Sequence, residues 1–351
     1  MPAVAPAAAP AVVAVVGAGV VGCAVAYHLA RAAGSSVTTL LLEPHAPAVA
    51  VGATSRSAGC VIAASASSEK CHLSAQTLAD VSALQQQLGT HLGYRRCGSL
   101  RLATDGEDLE ALRRYAHVTA KALGGTGATV LGRAEAERKV SWLRCSPENV
   151  AGALWVESDG VMDPTVLAGA YLRAARSLGV VEMRPVMASS FALDGGGRVI
   201  GVIPASGEII PCDHVVNAAG AWANLLVPVG SLLPGLPMAP TRSHYWLSQS
   251  SPSHFDGADP IVIMPGTRAY TRPEGPHKCL LGLQEAVSPT WDSRQLPPPS
   301  AHPSFCADMV GADEVQAQDA LLAQFEKLCE FFPSATEIGW GEYTAGLSTY
   351  T

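Results

Sequence analysis

A glycine-rich turn near the amino terminus constrains the fold of this chain more than any other feature. Gly17-Ala-Gly19-Val-Val-Gly22 fits the pattern G-x-G-x-x-G and stands between an apolar run, Ala11 to Val16, and helical spacing over residues 20–33. A second apolar run, Val37 to Leu42, ends at Glu43. Strand, glycine turn, helix and strand in this order form one βαβ unit, which predicts the start of a doubly wound parallel sheet.

Each part of this pattern has a physical reason in dinucleotide binding. Gly17 permits the tight turn, Gly19 lets the backbone approach a pyrophosphate, and Gly22 lets the helix pack closely on the strand. The N–H groups and the positive dipole end at the helix start favour phosphates. The Glu43 carboxylate, about 20 residues beyond the glycines, accepts hydrogen bonds from ribose hydroxyls. Glycines serving only as turn residues are disfavoured, because all these parts occur together; FAD and NAD remain equally open.

The rest of the chain predicts a second layer. A strand is expected at 94–103 and antiparallel strands at 240–248 and 261–283, and a hairpin over 197–211 leads into the buried run Asp213 to Asn217. Because the strand-rich pieces interrupt the βαβ signal, we expect two layers built from discontinuous segments. Further predictions are a Pro-rich loop at 287–303 and helices at 73–92, 105–123 with a Thr104/Glu107 capping box, 164–178 with Asp163 as N-cap, and 313–331.

Composition excludes several classes of protein. Lys and Arg number 23 against 30 Asp and Glu, a formal charge of −7, so no basic surface for nucleic acid is expected. The nine cysteines contain no C-x-x-C pair and the histidines have no ligand spacing, so free thiols and no metal site are expected. Glycines interrupt the apolar amino-terminal run and no basic residue precedes it. We expect no membrane span, no clear targeting segment, and an intracellular protein, cytoplasmic or mitochondrial.

Two small-residue segments complete the motif set: residues 52–59, GATSRSAG, and residues 215–222, VVNAAGAW. Alone, each is equally well explained as a Gly/Ala turn. With GAGVVG, LLE, DGVMDP, GRVIGV, YTRPEG, LLGLQE and WGEYTAGLSTYT in this order, however, the chain resembles the FAD-dependent D-amino acid oxidase-like amine oxidoreductases, which include glycine oxidase and the sarcosine and dimethylglycine enzymes. The resemblance covers nearly the whole chain at family level and does not specify the substrate.

The resemblance implies an α/β fold in which a Rossmann-type FAD-binding domain is interleaved with a substrate domain built on an antiparallel sheet. It implies a flexible tail at 1–10, an FAD-binding domain from 11–90, 150–225 and 335–351, and a substrate domain from 91–149 and 226–334. The cofactor-binding residues that the fingerprint and the resemblance imply are Gly17, Ala18, Gly19, Val20, Val21, Gly22, Leu42, Glu43, Pro44, Thr54, Ser55, Arg56, Ser57, Ala58, Gly59, Val186, Ala218, Ala219, Gly220 and Trp222.

Four departures from the family pattern carry further expectations. Arg56 stands where relatives carry a flavin-linked His and Gly346 where others carry a flavin-linked Cys, so non-covalent FAD is expected. Ser348 ends the AGLS segment where glycine oxidase has an Arg that clamps the substrate carboxylate, a contact that Ser cannot make in bidentate form. Relatives continue beyond the position of Thr351, so we expect a C-terminally truncated chain.

Candidate catalytic residues lie on the expected antiparallel sheet: Arg242, His244, Tyr245, Tyr270 and Arg272. An Arg could hold a carboxylate, and a Tyr or His could orient an amine and take up its proton. Strand alternation places Arg242 and His244 on the face opposite Tyr245, so these side chains cannot all face the flavin. Tyr245 as a half-buried strand residue and Arg272 in a surface or interdomain ion pair are the structural alternatives.

The function implied is oxidation of a small amine or amino acid, such as sarcosine, dimethylglycine or glycine, by hydride transfer to flavin N5. Its partners would be that small molecule and an electron acceptor, which could be oxygen, a flavoprotein or a quinone. Two alternatives stay open: an FAD-dependent 2-hydroxy acid or polyol-phosphate dehydrogenase, and a catalytically silent FAD-binding or assembly protein.

Overall fold

Two main sheets organise the chain, one parallel and one mostly antiparallel. The computed structural model describes residues 9–45, 52–125, 127–228, 230–231, 233–264, 266–267, 269–284, 287–297 and 314–350. The strands are β1 (Ala11–Val16), β2 (Val37–Leu42), β3 (Cys60–Val61), β4 (Arg95–Arg96), β5 (Ser99–Ala103), β6 (Ala128–Gly132), β7 (Gly152–Val156), β8 (Gly160–Val161), β9 (Val181–Arg184), β10 (Ala188–Leu193), β11 (Val199–Pro204), β12 (Ile210–Pro211), β13 (His214–Asn217), β14 (Ala239–Ser248), β15 (Ile261–Met264), β16 (Ala269–Glu274), β17 (Lys278–Leu283) and β18 (Trp340–Tyr350). The helices are α1 (Val20–Ala33), α2 (Ser68–Leu88), α3 (Gly106–Ala122), α4 (Arg133–Arg138), α5 (Pro164–Ser177) and α6 (Glu314–Phe331).

The first sheet is parallel, in the order β13-β1-β2-β9, and confirms the predicted Rossmann-like core. The last four residues of each central strand, β1 and β2, are buried, as continuous apolar runs require. On one face, Val15 and Leu41 pack against α1, α2 and α5. On the other face, Val16 and Leu42 pack against the antiparallel sheet β10-β11-β12.

The second sheet has eight strands in the order β18-β14-β17-β16-β15-β5-β7-β6 and is antiparallel except where β15 runs parallel to β5. One face packs on the largest apolar cluster, where Leu100, Trp246 and Leu281 meet Phe332, the residue after α6. The opposite face is turned toward the segment around β3 and toward α3, because Ala103 and Leu154 pack there with Ala63 and Leu112.

The hairpin and helix predictions agree with the structure in their main parts. The helix predicted at 164–178 spans Pro164–Ser177, and the Asp163 carboxylate accepts the Thr165 N–H at 2.7 Å. The predicted hairpin forms between β11 and β12, and β10 adds a third strand that the sequence did not indicate. Asp313 and residues 298–303 of the predicted Pro-rich loop, like residues 1–8 of the predicted tail, lie outside the described residues.

Three local predictions are corrected. The helix predicted at 73–92 begins at Ser68 instead, because the Ser67 hydroxyl caps it by accepting the Lys70 N–H at 3.2 Å. The cap of α3 is Asp105, whose carboxylate accepts the Asp108 N–H at 2.8 Å, and not Thr104 with Glu107. The strand predicted at 94–103 is divided at Gly98, which has a positive φ of 77°.

The pairing of β7 and β18 bears on the predicted division of the chain into two domains. The expected division placed 335–351 and the residues after 150 with the cofactor domain, whereas β18 pairs with β14 and β7 pairs with β5 and β6 in the eight-stranded sheet. Strand pairing therefore joins these two strands to the antiparallel layer, and the division itself stays a prediction. Within the described part of the chain, no helix has both the length and the apolar character needed to cross a bilayer.

Candidate active site

The glycine turn is fixed by backbone contacts that leave no room for side chains. Gly17 has a φ of 102°, and a Cβ there would lie 2.5 Å from the Ala218 carbonyl oxygen at the end of β13. A Cβ on Gly22 would lie 1.9 Å from the Gly17 carbonyl oxygen. Side chains at either position would separate β1, β13 and α1, so the chain requires glycine here. The start of α1 is thereby held at the carboxyl ends of the parallel strands.

Acceptors already surround the first amides of α1. The Glu43 carboxylate accepts the Ala18 N–H at 2.9 Å, and the Thr54 hydroxyl accepts the Val20 N–H at 3.0 Å. A Cβ on Gly19 would lie 3.1 Å from that same hydroxyl oxygen, so the turn approaches the 52–59 segment closely. A pyrophosphate needs N–H groups without an acceptor, so it would bind at the remaining amides of the first turn of α1, where the positive dipole end and the close backbone approach fit a dinucleotide such as FAD.

The other predicted cofactor residues gather at the same edge, where ligands bind in open α/β sheets. The Arg184 carbonyl at the end of β9 accepts the N–H groups of both Glu43 and Val186, which places Val186 beside the end of β2. Trp222 donates its indole N–H to the Pro297 carbonyl at 2.8 Å. The remaining predicted residues here are Leu42, Pro44, Ala218, Ala219 and Gly220, and their contact with a cofactor stays a prediction.

A cavity of about 720 Å³ separates the 52–59 segment from the eight-stranded sheet. One wall is formed by Arg56, Ser57 and Ala58. Facing it are polar and aromatic residues of the sheet and residues of α3, among them Arg101, Leu112, Tyr115, Ser243, Tyr245, Tyr270 and Ser348. The predicted cofactor segment and the predicted substrate sheet thus line the same cavity.

Strand register places three polar side chains in one row on the cavity face. Tyr245 pairs with Gly282, Gly282 with Tyr270, Tyr270 with Ile263, and Ile263 with Arg101. Residues paired across neighbouring strands point to the same face, so the two tyrosines and the arginine share it. The row is possible because a Cβ on Gly282 would lie 2.0 Å from the Tyr270 ring, which therefore lies over that strand.

The chemistry of Tyr270 follows from its burial. Desolvation raises the pKa of its phenol far above the ordinary value. The phenol is therefore protonated at neutral pH, where it can donate a hydrogen bond and cannot act as a base. Of the two roles expected for a tyrosine here, Tyr270 can orient a bound amine but cannot take up its proton.

Arg242 and His244 lie on the face opposite Tyr245, as strand alternation required. His244 borders the cavity, but its ring packs against Trp246 and Tyr343 at centroid distances of 5.1 and 5.9 Å, and its Nδ1 lies 3.1 Å from the Tyr343 hydroxyl. Arg242 pairs in register with the buried Leu347. The sequence interpretation offered both as catalytic candidates; their side chains belong to the layer behind the sheet, so we do not retain them.

Arg272 shares a face with Tyr270 but has partners of its own. Its guanidinium donates to the Pro273 carbonyl at 3.0 Å and forms an ion pair with Glu274. It is not among the residues that line the cavity. The ion-pair alternative describes Arg272 better than the carboxylate clamp, so it too is set aside.

Sequence reasoning missed Arg101, which lines the cavity from β5. The available signal was a charged residue between Leu100 and Leu102 in an otherwise apolar strand, a placement that is expensive without a functional or structural partner. Ser348 stands where the family resemblance places the carboxylate-binding arginine of glycine oxidase. Its hydroxyl accepts a hydrogen bond from the Ser243 hydroxyl at 2.7 Å, so the contact at this position is between neutral groups.

A comparison of the sequence with known protein families agrees with a dinucleotide-binding turn at Gly17–Gly22. Residues 13–349 match the family described as DAO, FAD dependent oxidoreductase. The chain belongs to this family. Its cofactor is accordingly FAD, and the family resemblance inferred from the motifs is confirmed.

Three known proteins are similar to this chain in sequence or in fold. It is 33% identical over 208 residues to a 4-methylaminobutanoate oxidase (formaldehyde-forming) of Paenarthrobacter nicotinovorans, a match that covers 59% of this chain and 24% of the relative. It is also 33% identical to human mitochondrial sarcosine dehydrogenase over 60% of this chain and 23% of that protein. The chain thus spans about a quarter of the length of these relatives. The crystal structure of an L-proline dehydrogenase from P. horikoshii shares the fold with a TM-score of 0.76 at 20% identity, covering 97% of this chain and 82% of that one.

Proposed function

We propose that this chain oxidises a small amine or amino acid of the sarcosine, dimethylglycine or glycine kind, with FAD as its cofactor. The observation that carries the proposal is the cavity enclosed between Arg56–Ala58 and the sheet face bearing Tyr245 and Tyr270. A cofactor held at the glycine turn and a substrate held on the sheet would meet in that space. The names of the two sequence relatives support the substrate class, since both denote N-methylated amino acids.

When bound, FAD supplies a two-electron acceptor for a hydride from the carbon next to the amine. The protein's own part is to bind, orient and exclude water. The turn at Gly17–Gly22 and Glu43 hold the cofactor's diphosphate and ribose, and Tyr270 donates a hydrogen bond from a desolvated phenol. The apolar side chains Ile263 and Leu112 would limit the access of water to these groups.

The attachment of FAD is proposed to be non-covalent. Arg56 lies against the sheet at Gly346, where a Cβ would lie 2.8 Å from the Arg56 Cβ. Neither position offers the imidazole or thiol to which a flavin could be linked. Precipitation with acid should release the flavin into the supernatant, and yellow colour retained in the pellet would contradict the proposal.

The substrate class is tested by anaerobic reduction of the FAD-loaded chain. Sarcosine, dimethylglycine, glycine and 4-methylaminobutanoate are added separately, with lactate and glycerol 3-phosphate for comparison, while visible flavin absorbance is followed. We expect bleaching with at least one of the amines and none with the hydroxy compounds. Bleaching by hydroxy compounds alone, or a bound flavin that none of these compounds reduces, would contradict the proposal and favour one of the two alternatives.

A matched pair of variants tests which face of the sheet acts. Tyr270→Phe removes the hydroxyl on the cavity face and should slow flavin reduction roughly five- to tenfold, the effect of one hydrogen bond. Tyr343→Phe removes a hydroxyl on the opposite face and should leave the rate unchanged. Equal rates for the two variants would remove Tyr270 from the site.

A further inference from the structure

Arg101 is the charged member of the row, and the proposed function leaves its role open. It stands at the centre of β5, between Leu100 and Leu102, which are buried in the apolar cluster behind the sheet. Strand alternation turns Arg101 to the other face, where it lines the cavity together with Tyr115 of α3. The backbone therefore directs a guanidinium into the space shared by the cofactor segment and the tyrosines.

The protein does not provide an acceptor for every N–H group of this guanidinium. The Nε atom of Arg101 is buried, and within the described ranges no group accepts its hydrogen. The Arg101 nitrogen atoms that reach the cavity could donate to a ligand acceptor, which would offset part of the cost of burying the guanidinium. Burial also lowers the pKa of Arg101.

Asp159, an acid whose charge acts on Arg101, does not form an ion pair with it. Asp159 is fully buried, and its carboxylate is already engaged by the Ser99 hydroxyl at 2.6 Å and the Ala63 N–H at 2.9 Å. The ionised Asp159 carboxylate partly offsets the cost of burying the Arg101 charge. Arg101 lines the cavity, so its guanidinium is available to a ligand there.

The position of Arg101 in the row indicates how a ligand could lie across the sheet. Two strand spacings separate it from Tyr270, a distance of roughly 10 Å between the Cα atoms. A small amino acid fits between the two side chains, with its anionic end at Arg101 and its amine toward the tyrosines. A carboxylate is also the group whose geometry a guanidinium matches in bidentate form.

We propose that Arg101 binds the carboxylate of the substrate, so that this chain selects amines carrying a carboxylate. The inference rests on the proposed function, because it specifies the substrate class of the same cavity. It assigns to β5 a role that Ser348, paired with Ser243, cannot fill at the carboxyl-terminal strand.

The test uses two inert probes that differ in charge. Methoxyacetate resembles sarcosine but has an ether oxygen in place of the amine, and methoxyacetamide is its neutral counterpart. Binding of each to the FAD-loaded chain is measured by titration calorimetry for wild type, Arg101→Gln, Arg101→Lys and the control Arg113→Gln. Arg113 lies on the same helix as Tyr115, exposed to solvent and paired only with Glu110 at 3.4 Å in the described structure.

Wild type should bind methoxyacetate more tightly than methoxyacetamide. Arg101→Gln should weaken methoxyacetate binding at least tenfold and change methoxyacetamide binding by less than about twofold, because a charge-assisted contact is lost. Arg101→Lys should retain part of the preference, since it keeps the charge without the fork, and Arg113→Gln should behave as wild type. Equal losses for both probes, an unchanged preference in Arg101→Gln, or wild-type binding of neither probe would overturn the inference.

These outcomes separate the inference from the proposed function. If amines bleach the flavin while Arg101→Gln keeps the wild-type preference for methoxyacetate, the carboxylate site is overturned and the oxidoreductase stands. If methoxyacetate binding depends on Arg101 while no amine reduces the flavin, the carboxylate site stands and the amine proposal fails.

Discussion

The parallel and antiparallel layers of this molecule specify their sites by different means. At the parallel sheet, the contacts that shape the turn are made by backbone atoms, as between Gly22 and Gly17 and between Gly17 and Ala218. On the eight-stranded sheet, side chains carry the chemistry, and strand register decides which of them share a face. The backbone site, the turn at Gly17–Gly22, can be predicted from the spacing of its glycines. The register-built site, the cavity face of the eight-stranded sheet, depends on pairing between segments that are distant in sequence.

The largest effect is expected at the backbone site. Gly22→Ala places a Cβ 1.9 Å from the Gly17 carbonyl oxygen, and neither group belongs to a flexible side chain. We expect a loss of about 3 kcal/mol or more in the free energy of unfolding, together with loss of FAD binding. Urea unfolding and a fluorescence titration with FAD measure the two effects.

Gly169→Ala is the matched control for Gly22→Ala. Gly169 lies within α5, which packs against α1, and a Cβ there meets open space. Replacing a helical glycine should stabilise the protein by roughly 0.5–1 kcal/mol and leave FAD binding intact. A Gly22→Ala variant as stable and as yellow as Gly169→Ala would contradict the backbone account.

An intermediate effect is expected where the two layers meet, at Asp159. Burial raises the pKa of its carboxyl to about 6, above the unfolded value of about 3.9. The folded state binds more protons between these values, so the free energy of unfolding should fall as pH rises from about 4 to about 6 and level off above. The fall attributable to Asp159 is about 3 kcal/mol at most.

Asp159→Asn tests this contribution by chemical denaturation at pH 4.5 and pH 7. Relative to wild type, the variant should gain about 2 kcal/mol between the two pH values, because it has no carboxyl to ionise. Asp105→Asn keeps an equally good helix cap at an exposed site and should follow the wild-type pH dependence. Identical pH dependence of wild type and Asp159→Asn would contradict the raised pKa.

The smallest effect on stability is expected at the register-built site. Gly282→Ala places a Cβ 2.0 Å from the Tyr270 ring, a side chain that can move. We expect a cost of about 1–2 kcal/mol, slower flavin reduction and unchanged FAD affinity. In a Tyr270→Ala background the same substitution should cost almost nothing, and a full cost there would show that the Tyr270 ring is not what Gly282 accommodates.

The difference between the layers also explains what could be predicted from the sequence. The bounds of β1, α1 and β2 follow from apolar runs and glycines that are contiguous in the chain. The cap of α3 was predicted one residue early, because Thr104 and Asp105 both carry capping side chains and only the backbone geometry chooses between them. These signals are local, so errors in them are small.

The register-built site could be predicted only in part. Alternation within β14 correctly separated Tyr245 from Arg242 and His244, but it could not say which group faces the cavity. Arg101 joins the row because β5 pairs in parallel with β15, a segment more than half the described chain away in sequence. No local sequence pattern encodes that pairing. Arg101 was therefore missed, whereas Arg242 and Arg272 were proposed.

The central claim is that the glycine turn and the tyrosine face serve one shared site. A crystal structure of the chain with bound FAD tests it most directly. The account predicts density for the flavin ring in the cavity between Arg56–Ala58 and the row of Tyr245, Tyr270 and Arg101. A flavin ring outside this cavity, or one contacting the sheet on the side of His244 and Trp246, would contradict it.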